Sequence, residues 1–287
     1  MRHDKITRIL SALALILIAI TLLFYVFQSK NQGRETLSGI AEQTQQQDKA
    51  NQEQEEPTEE MTKVSASQAA PQGEKLSLWP PRPEGETDLE RIKRLMQALD
   101  PGEEGATYLI RVFKDRQMVV VYSDPDSDQS FSKMEHAFIC SSAIEPYDTP
   151  SGDQQLGLKL LSGYMLDGSY CKYCSEFKKT YYFHAPPSYG DVEEAGVSWK
   201  DYNSLGKEAS HGCIRLTTRD AKWIFENCGE NTKVEILDSS EGYSGLPDQI
   251  DRLMMQEGEP SWDPTNDNPA NPYQQDPARL LPYNKTN

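Results

Sequence analysis

The sequence predicts a mainly β domain with one or two helices, set behind an apolar N-terminal helix and a long polar connector. Three observations carry this. Between about residues 105 and 238 lie several short runs rich in β-branched and aromatic residues, separated by turn signals. Residues Ile9 to Phe27 are apolar and uncharged. From Gln28 to about Gly85 the chain is dominated by Gln, Glu, Ser, Thr and Pro, without the periodic apolar residues needed to offset chain entropy.

The apolar run, "ILSALALILIAITLLFYVF", reaches about 28 Å as a helix, close to the ~30 Å hydrocarbon thickness of a bilayer. A cleaved signal peptide would have a shorter apolar region and a small-x-small pair after it, whereas "FYVFQSKNQG" follows here. An uncleaved anchor over 9–27 is the expectation. Arg2, Lys5 and Arg8 crowd the preceding residues 1–8, which places the N-terminus in the cytoplasm and the remainder outside, as a single-pass cell-membrane protein. Residues 28–85 then read as a disordered stalk that lets an anchored domain reach away from the membrane. A formal net charge of -16 and a pI near 4.7 argue against a nucleic-acid partner, which requires a basic footprint.

Within 86–104, "TDLERIKRLMQAL" sets Leu89, Ile92, Leu95, Met96 and Leu99 at helical spacing, with Thr87 or Asp88 as cap and Pro101-Gly102 as the stop. "TYLIRVFK" and "QMVVVYSD" follow as a hairpin across "KDRQ". "HAFICSSA", "LKLLSGYML" and "TYYFHAP" continue the β pattern, with "PYDTPSGD" as a turn. A helix over "TTRDAKWIFENCG", closed by Gly229, precedes a last strand, "KVEIL". The tail, 239–287, is rich in Pro, Asn and Asp and reads as largely irregular, with one short helix over "DQIDRLMMQ".

The chemistry concentrates in "SHGCIRL", Ser210 to Leu216. A thiolate attacks acyl carbons well, but a thiol needs a base or a positive charge beside it at neutral pH. His211 supplies one by sequence and His184, at the end of "YYFHA", by folding. In an extended segment Arg215 shares a face with Cys213, where it would favour the thiolate or hold a substrate carboxylate. Gly212 and Cys213 offer backbone N–H groups near the reacting carbon. A buried structural cysteine explains the local pattern equally well. "CKYC" (Cys171, Cys174) with His184, and Cys213 or His211 as a fourth ligand, would suit zinc. Structural zinc sites often bring two such pairs, and a second C-x-x-C is missing, so plain thiols are the simpler reading. Outside the cell a Cys171–Cys174 or Cys140–Cys228 disulfide is allowed.

Taken together, "SHGCIRL", "DAKWIFEN", "TKVEI", "YDTPSG" and "YYFHA" resemble the L,D-transpeptidase catalytic domain (the YkuD, or ErfK/YbiS, family) over roughly residues 105–238. The resemblance implies a compact β-sandwich-like domain that cross-links or modifies peptidoglycan stem peptides without metal or cofactor. It implies Cys213 as nucleophile and His184 as proton donor and acceptor, its imidazole oriented by the carbonyl of Ala185. Ser210, His211 and Gly212 fall on the motif around the nucleophile, where they shape the oxyanion site, and Arg215 on a frequent basic position. One departure stands out: 25 residues, Ala185 to Ala209, separate His184 from Ser210, a longer connection than the family usually has. A loop insertion there would act as a lid or a substrate-side element. An L,D-carboxypeptidase, a sortase-like thiol acyltransferase attaching protein to the wall and a non-catalytic wall-binding module are the competing readings.

Overall fold

The computed structural model describes residues 77–165, 168–189 and 196–282. The expected anchor, 9–27, and the stalk up to residue 76 lie outside them. No helix among the described residues is long and apolar enough to cross a membrane.

The chain enters through a two-residue strand, β1 (Leu78–Trp79), and helix α1 (Asp88–Met96). A capping box starts the helix: Thr87 Oγ1 accepts from Glu90 N, and Glu90 accepts from Thr87 N at 2.9 Å. Asp88 and Glu90 in the first turn and Lys93 and Arg94 in the last suit the helix dipole. The helix stops at Met96, short of the expected Pro101-Gly102. Ile92, Leu95 and Met96 pack into one core and Leu99 against another, so the chain must leave the helix to pass from one to the other.

Strands β2 (Tyr108–Phe113) and β3 (Met118–Ser123) form the expected hairpin, Tyr108 opposite Ser123 and Phe113 opposite Met118. The turn needs a left-handed residue, Gln117, at φ 47°. Its side-chain amide exchanges two 2.7 Å hydrogen bonds with Ser142, fixing the segment that follows β4 (Lys133–Ile139). β5 (Gly152–Gln155) and β10 (Lys233–Leu237) complete a five-stranded sheet in the order β4-β3-β2-β10-β5, with β10 parallel to β2. The second sheet runs β6-β7-β8-β9: β6 (Lys159–Tyr164), β7 (Tyr170–Lys178), β8 (Tyr181–His184) and β9 (Ile214–Arg215).

Ile110, Val112, Val119, Val121 and Phe138 of the first sheet meet Phe177, Phe183 and Ile214 of the second in one core, closed by Trp223 and Ile224 of α3 (Thr218–Asn227). α2 is the five-residue helix Trp199–Asn203. The other face of the first sheet is buried too: Met118 and Val120 alternate with Val119 and Val121 and enter a second core. Burial on both faces is why "MVVVYS" reads as a continuous apolar run and not as alternation. The domain is therefore mainly β with few helices.

The tail departs from its sequence reading. "DQIDRLMMQ" is not a helix. It forms β11 (Gln249–Ile250), parallel to β1, and β12 (Leu253–Met254), antiparallel to β13 (Leu281–Pro282). Ile250, Asp251, Arg252 and Leu253 are consecutively buried, which a one-sided amphipathic helix would not satisfy. With Tyr273 of α4 (Pro272–Gln275) and Leu280, the tail covers the second core. β1 also lies in what the sequence assigned to the stalk, which thus does not extend to residue 85. Gly229 does not cap α3. Cys228 does, at φ -94°, and Lys159 Nζ donates to the carbonyls of Phe225 and Cys228 at the helix end, where a cation suits the dipole.

Candidate active site

β8 and β9 run parallel, pairing Phe183 with Ile214 and His184 with Arg215. The pairing sets the end of one strand, His184, beside the start of the other, immediately after Cys213. Leu216 N donates to His184 O at 2.9 Å, and Ser141 exchanges 2.9 and 3.0 Å backbone bonds with Arg215. Both residues are thereby fixed by main-chain ladders. His184 is buried, and its Nδ1 lies 2.6 Å from the carbonyl oxygen of Ala185. A carbonyl only accepts, so that contact makes Nδ1 the protonated nitrogen of a neutral imidazole and leaves Nε2 as the basic one.

The loop carrying Cys213 is held from inside. Ser210 Oγ donates to Cys213 O at 2.6 Å and accepts from Gly212 N at 3.1 Å. Thr149 Oγ1 donates to Gly212 O at 2.9 Å and accepts from Ala143 N at 3.0 Å. Gly212 sits at φ +133°, a conformation that disfavours a side chain, and a Cβ there would fall 2.4 Å from the ring of Tyr181. The Gly212 N–H, an oxyanion donor in the sequence reading, here donates to Ser210 Oγ at 3.1 Å. His211 is exposed and packs on Tyr147, with ring centroids 4.4 Å apart.

His184, Cys213, Arg215, Ser210 and His211 line one cavity of about 110 Å³, with Met165, Ser169, Cys171, Thr180 and Pro187. Cys213 is half-buried, whereas Cys140, Cys171, Cys174 and Cys228 are buried and none is in a disulfide. Burial raises the Cys140 thiol and pushes that of Cys228 up to about 12; contact with Cys174, then burial, raises that of Cys171. These thiols stay protonated at neutral pH, which suits packing and not nucleophilic attack. Among the described residues no three His, Cys, Asp or Glu side chains gather as metal ligands.

The long connection is not simply a loop. Ser188 bridges to Tyr170 and Val197, and Ser198 caps α2, whose Tyr202 is buried with Val197 and Leu205 in the second core. The tail grips it: Gly196 N donates to Ser261 O at 2.8 Å, Asn203 exchanges bonds with the backbone of Met255, and Arg252 donates to Leu205 O. The connection also delivers Asp201, whose Oδ1 stands 3.8 Å from an Arg215 nitrogen. Sequence reasoning missed Thr149 and Asp201. Thr149 lies inside the quoted "YDTPSG", but nothing in the sequence marks its hydroxyl as the clasp on Gly212, and Asp201 falls in the stretch that departs from the family pattern.

These features bring a thiol and an imidazole into one cavity on a two-sheet scaffold. Residues 107–236 match the family model of YkuD, the L,D-transpeptidase catalytic domain. A curated relative is YciB of Bacillus subtilis (strain 168), provisionally named an L,D-transpeptidase. It is 50% identical over 54 residues, which are 19% of this chain and 26% of that protein. Among solved structures, an L,D-transpeptidase from Mycobacterium tuberculosis H37Rv is 20% identical over 47% of this chain and 59% of its own, with a TM-score of 0.37. Another, from Mycobacterium smegmatis, is 17% identical over 46% and 59%, also at a TM-score of 0.37.

Proposed function

We propose that the chain is a cysteine-dependent L,D-transpeptidase of the cell wall, anchored by residues 9–27 with its catalytic unit outside the membrane. The placement of Cys213 and His184 in one cavity, the one just before β9 and the other at the end of its parallel neighbour β8, is the observation that carries the reading. His184, oriented by Ala185, takes the Cys213 proton. The sulfur attacks the carbonyl between the third residue of a peptidoglycan tetrapeptide stem and its terminal D-amino acid. The C–N bond breaks as His184 returns the proton to the leaving nitrogen, and the stem remains as a thioester on Cys213. An amine of a neighbouring stem then takes the acyl group while His184 accepts its proton, and the thiol is regenerated.

The test is incubation of the purified protein with a disaccharide tetrapeptide, reading protein and products by mass spectrometry. A thioester on Cys213 and a cross-linked dimer are expected, and both vanish in Cys213→Ala while the fold is retained. Dimer formation by that variant would overturn the mechanism. Hydrolysed tripeptide as the sole product would make the enzyme an L,D-carboxypeptidase. Removing residues 1–27 is expected to release the protein from the membrane fraction.

A further inference from the structure

The connection from β3 to β4 is longer than a hairpin needs and carries a pattern that the chemistry at Cys213 leaves unused. With the start of β4 it reads "DPDSDQSFSKME", Asp124 to Glu135. Oxygen-bearing side chains stand at its first, third, fifth, seventh, ninth and twelfth positions: Asp124, Asp126, Asp128, Ser130, Ser132 and Glu135. This is the ligand order of a twelve-residue calcium loop, with Asp at one, three and five and Glu at twelve. Such a loop turns sharply at its sixth position, where glycine is usual. Gln129 stands there and takes the left-handed conformation all the same, at φ 64°.

The backbone is wound around these side chains. Gln129 N donates to Asp124 Oδ2 and Ser130 N to Asp128 Oδ1, both at 2.8 Å. Ser123 Oγ donates to Glu135 Oε1, which brings the twelfth position to the residue just before the first. The bond from Gln129 turns the Asp124 carboxylate into the loop, and its other oxygen, Oδ1, is buried with no hydrogen-bond partner. The carboxyl of Asp128 lies within hydrogen-bonding reach of it. Two carboxylates that meet repel at neutral pH, and a buried oxygen without a donor is costly; one cation relieves both. We propose that residues 124–135 form a calcium site, with Asp124 and Asp128 already in place and Asp126, Glu135 and the Ser130 carbonyl drawn in on binding. Two carboxylates, not three, adjoin as the loop stands, because Asp126 is exposed and Glu135 is held at the base by Ser123. An all-oxygen donor set selects a hard cation, and an adaptable loop favours calcium over magnesium, which demands strict octahedral geometry. The bound ion ties β4, an edge strand of the first sheet, to β3. The site is independent of the chemistry at Cys213.

The test is calorimetric titration of CaCl2 into the full-length protein, stripped of divalent ions with EDTA and held at constant ionic strength, with MgCl2 in parallel. One calcium site with a Kd of about 10⁻⁴–10⁻³ M is expected, the range of extracellular modules, and weaker binding of magnesium. At ten times Kd, calcium should raise Tm by about 3–6 °C. Asp124→Asn and Asp128→Asn should each weaken calcium binding by about tenfold or more. In EDTA the same variants should be no less stable than wild type, because each removes a repulsion. A loss of stability in EDTA as large as that in calcium would overturn the assignment, since the carboxylates would then serve only the hydrogen bonds of the loop. Calcium binding of wild-type strength in the double variant Asp124→Asn/Asp128→Asn would overturn it too, the response being nonspecific screening of an acidic chain. So would equal responses to calcium and magnesium, or no response to calcium up to about 10 mM.

Discussion

Asp251→Ala should be among the most damaging substitutions in this protein, although it lies in the Pro/Asn-rich tail and outside the cavity of Cys213 and His184. Its carboxylate is fully buried and receives Arg91 Nε at 3.0 Å on both oxygens, together with an Arg91 terminal nitrogen; Arg94 approaches at 3.5 Å. Arg91 is 2% exposed, so removing its partner strands a buried charge. Breaking such a pair from one side costs about 3–5 kcal/mol. For a unit of the size of residues 73–287, each kcal/mol lowers Tm by about 2–4 °C, giving a fall of about 6–20 °C. Thermal unfolding followed by circular dichroism measures it. The double variant Arg91→Met/Asp251→Leu replaces the pair with apolar volume and should recover most of the loss. A fall of less than about 2 °C in Asp251→Ala would refute the reasoning. A double variant no better than the single would refute its cause, since charge burial would not be the origin.

Thr149→Val removes the hydroxyl that links Gly212 O to Ala143 N and leaves both buried, at a cost of about 1–3 kcal/mol, with loss of thioester formation that Thr149→Ser restores. Iodoacetamide at neutral pH should label Cys213 alone in the native protein, because the thiols of Cys140, Cys171 and Cys228 are raised and buried; in denaturant all five cysteines should react, and peptide mapping distinguishes the two cases. Hydrogen bonding to Arg94 holds the Glu86 carboxyl below its ordinary 4.5. Its stabilising contribution is therefore complete above that value and is lost as pH falls through the depressed native one. Glu86→Gln should lower stability to urea at neutral pH, by a margin that shrinks as pH falls below 4.5.

The elements most legible in the sequence were those whose pattern is local. The β2–β3 hairpin, the Thr87 capping box and α3 each announce themselves through neighbouring residues: a polar break between apolar runs, a Thr-x-x-Glu spacing, a Thr-led amphipathic stretch. What escaped depends on distant partners. "DQIDRLMMQ" has the composition of a helix. Its backbone instead pairs with Leu78–Trp79 and Leu281–Pro282, and Asp251 is held by a helix 160 residues earlier in the chain. Tertiary pairing overrides local propensity there, and a Pro/Asn-rich composition conceals the fact that Leu253, Tyr273 and Leu280 supply core.

The site divides in the same way. That Cys213 and His184 meet in one cavity is legible from the motif around the one and the strand end that carries the other. The length of the connection between them was legible too, but not its use. A lid needs an element able to swing, whereas residues 196–209 are sewn to the tail through Gly196, Asn203 and Leu205 and are buried at Val197, Tyr202 and Leu205. A segment anchored at so many points positions what it carries. It carries Asp201, whose Oδ1 stands 3.8 Å from a nitrogen of Arg215 at the cavity wall. The added length is therefore a fixed part of the scaffold beside Arg215, while the pairing of β8 with β9 holds His184 next to the chain leaving Cys213.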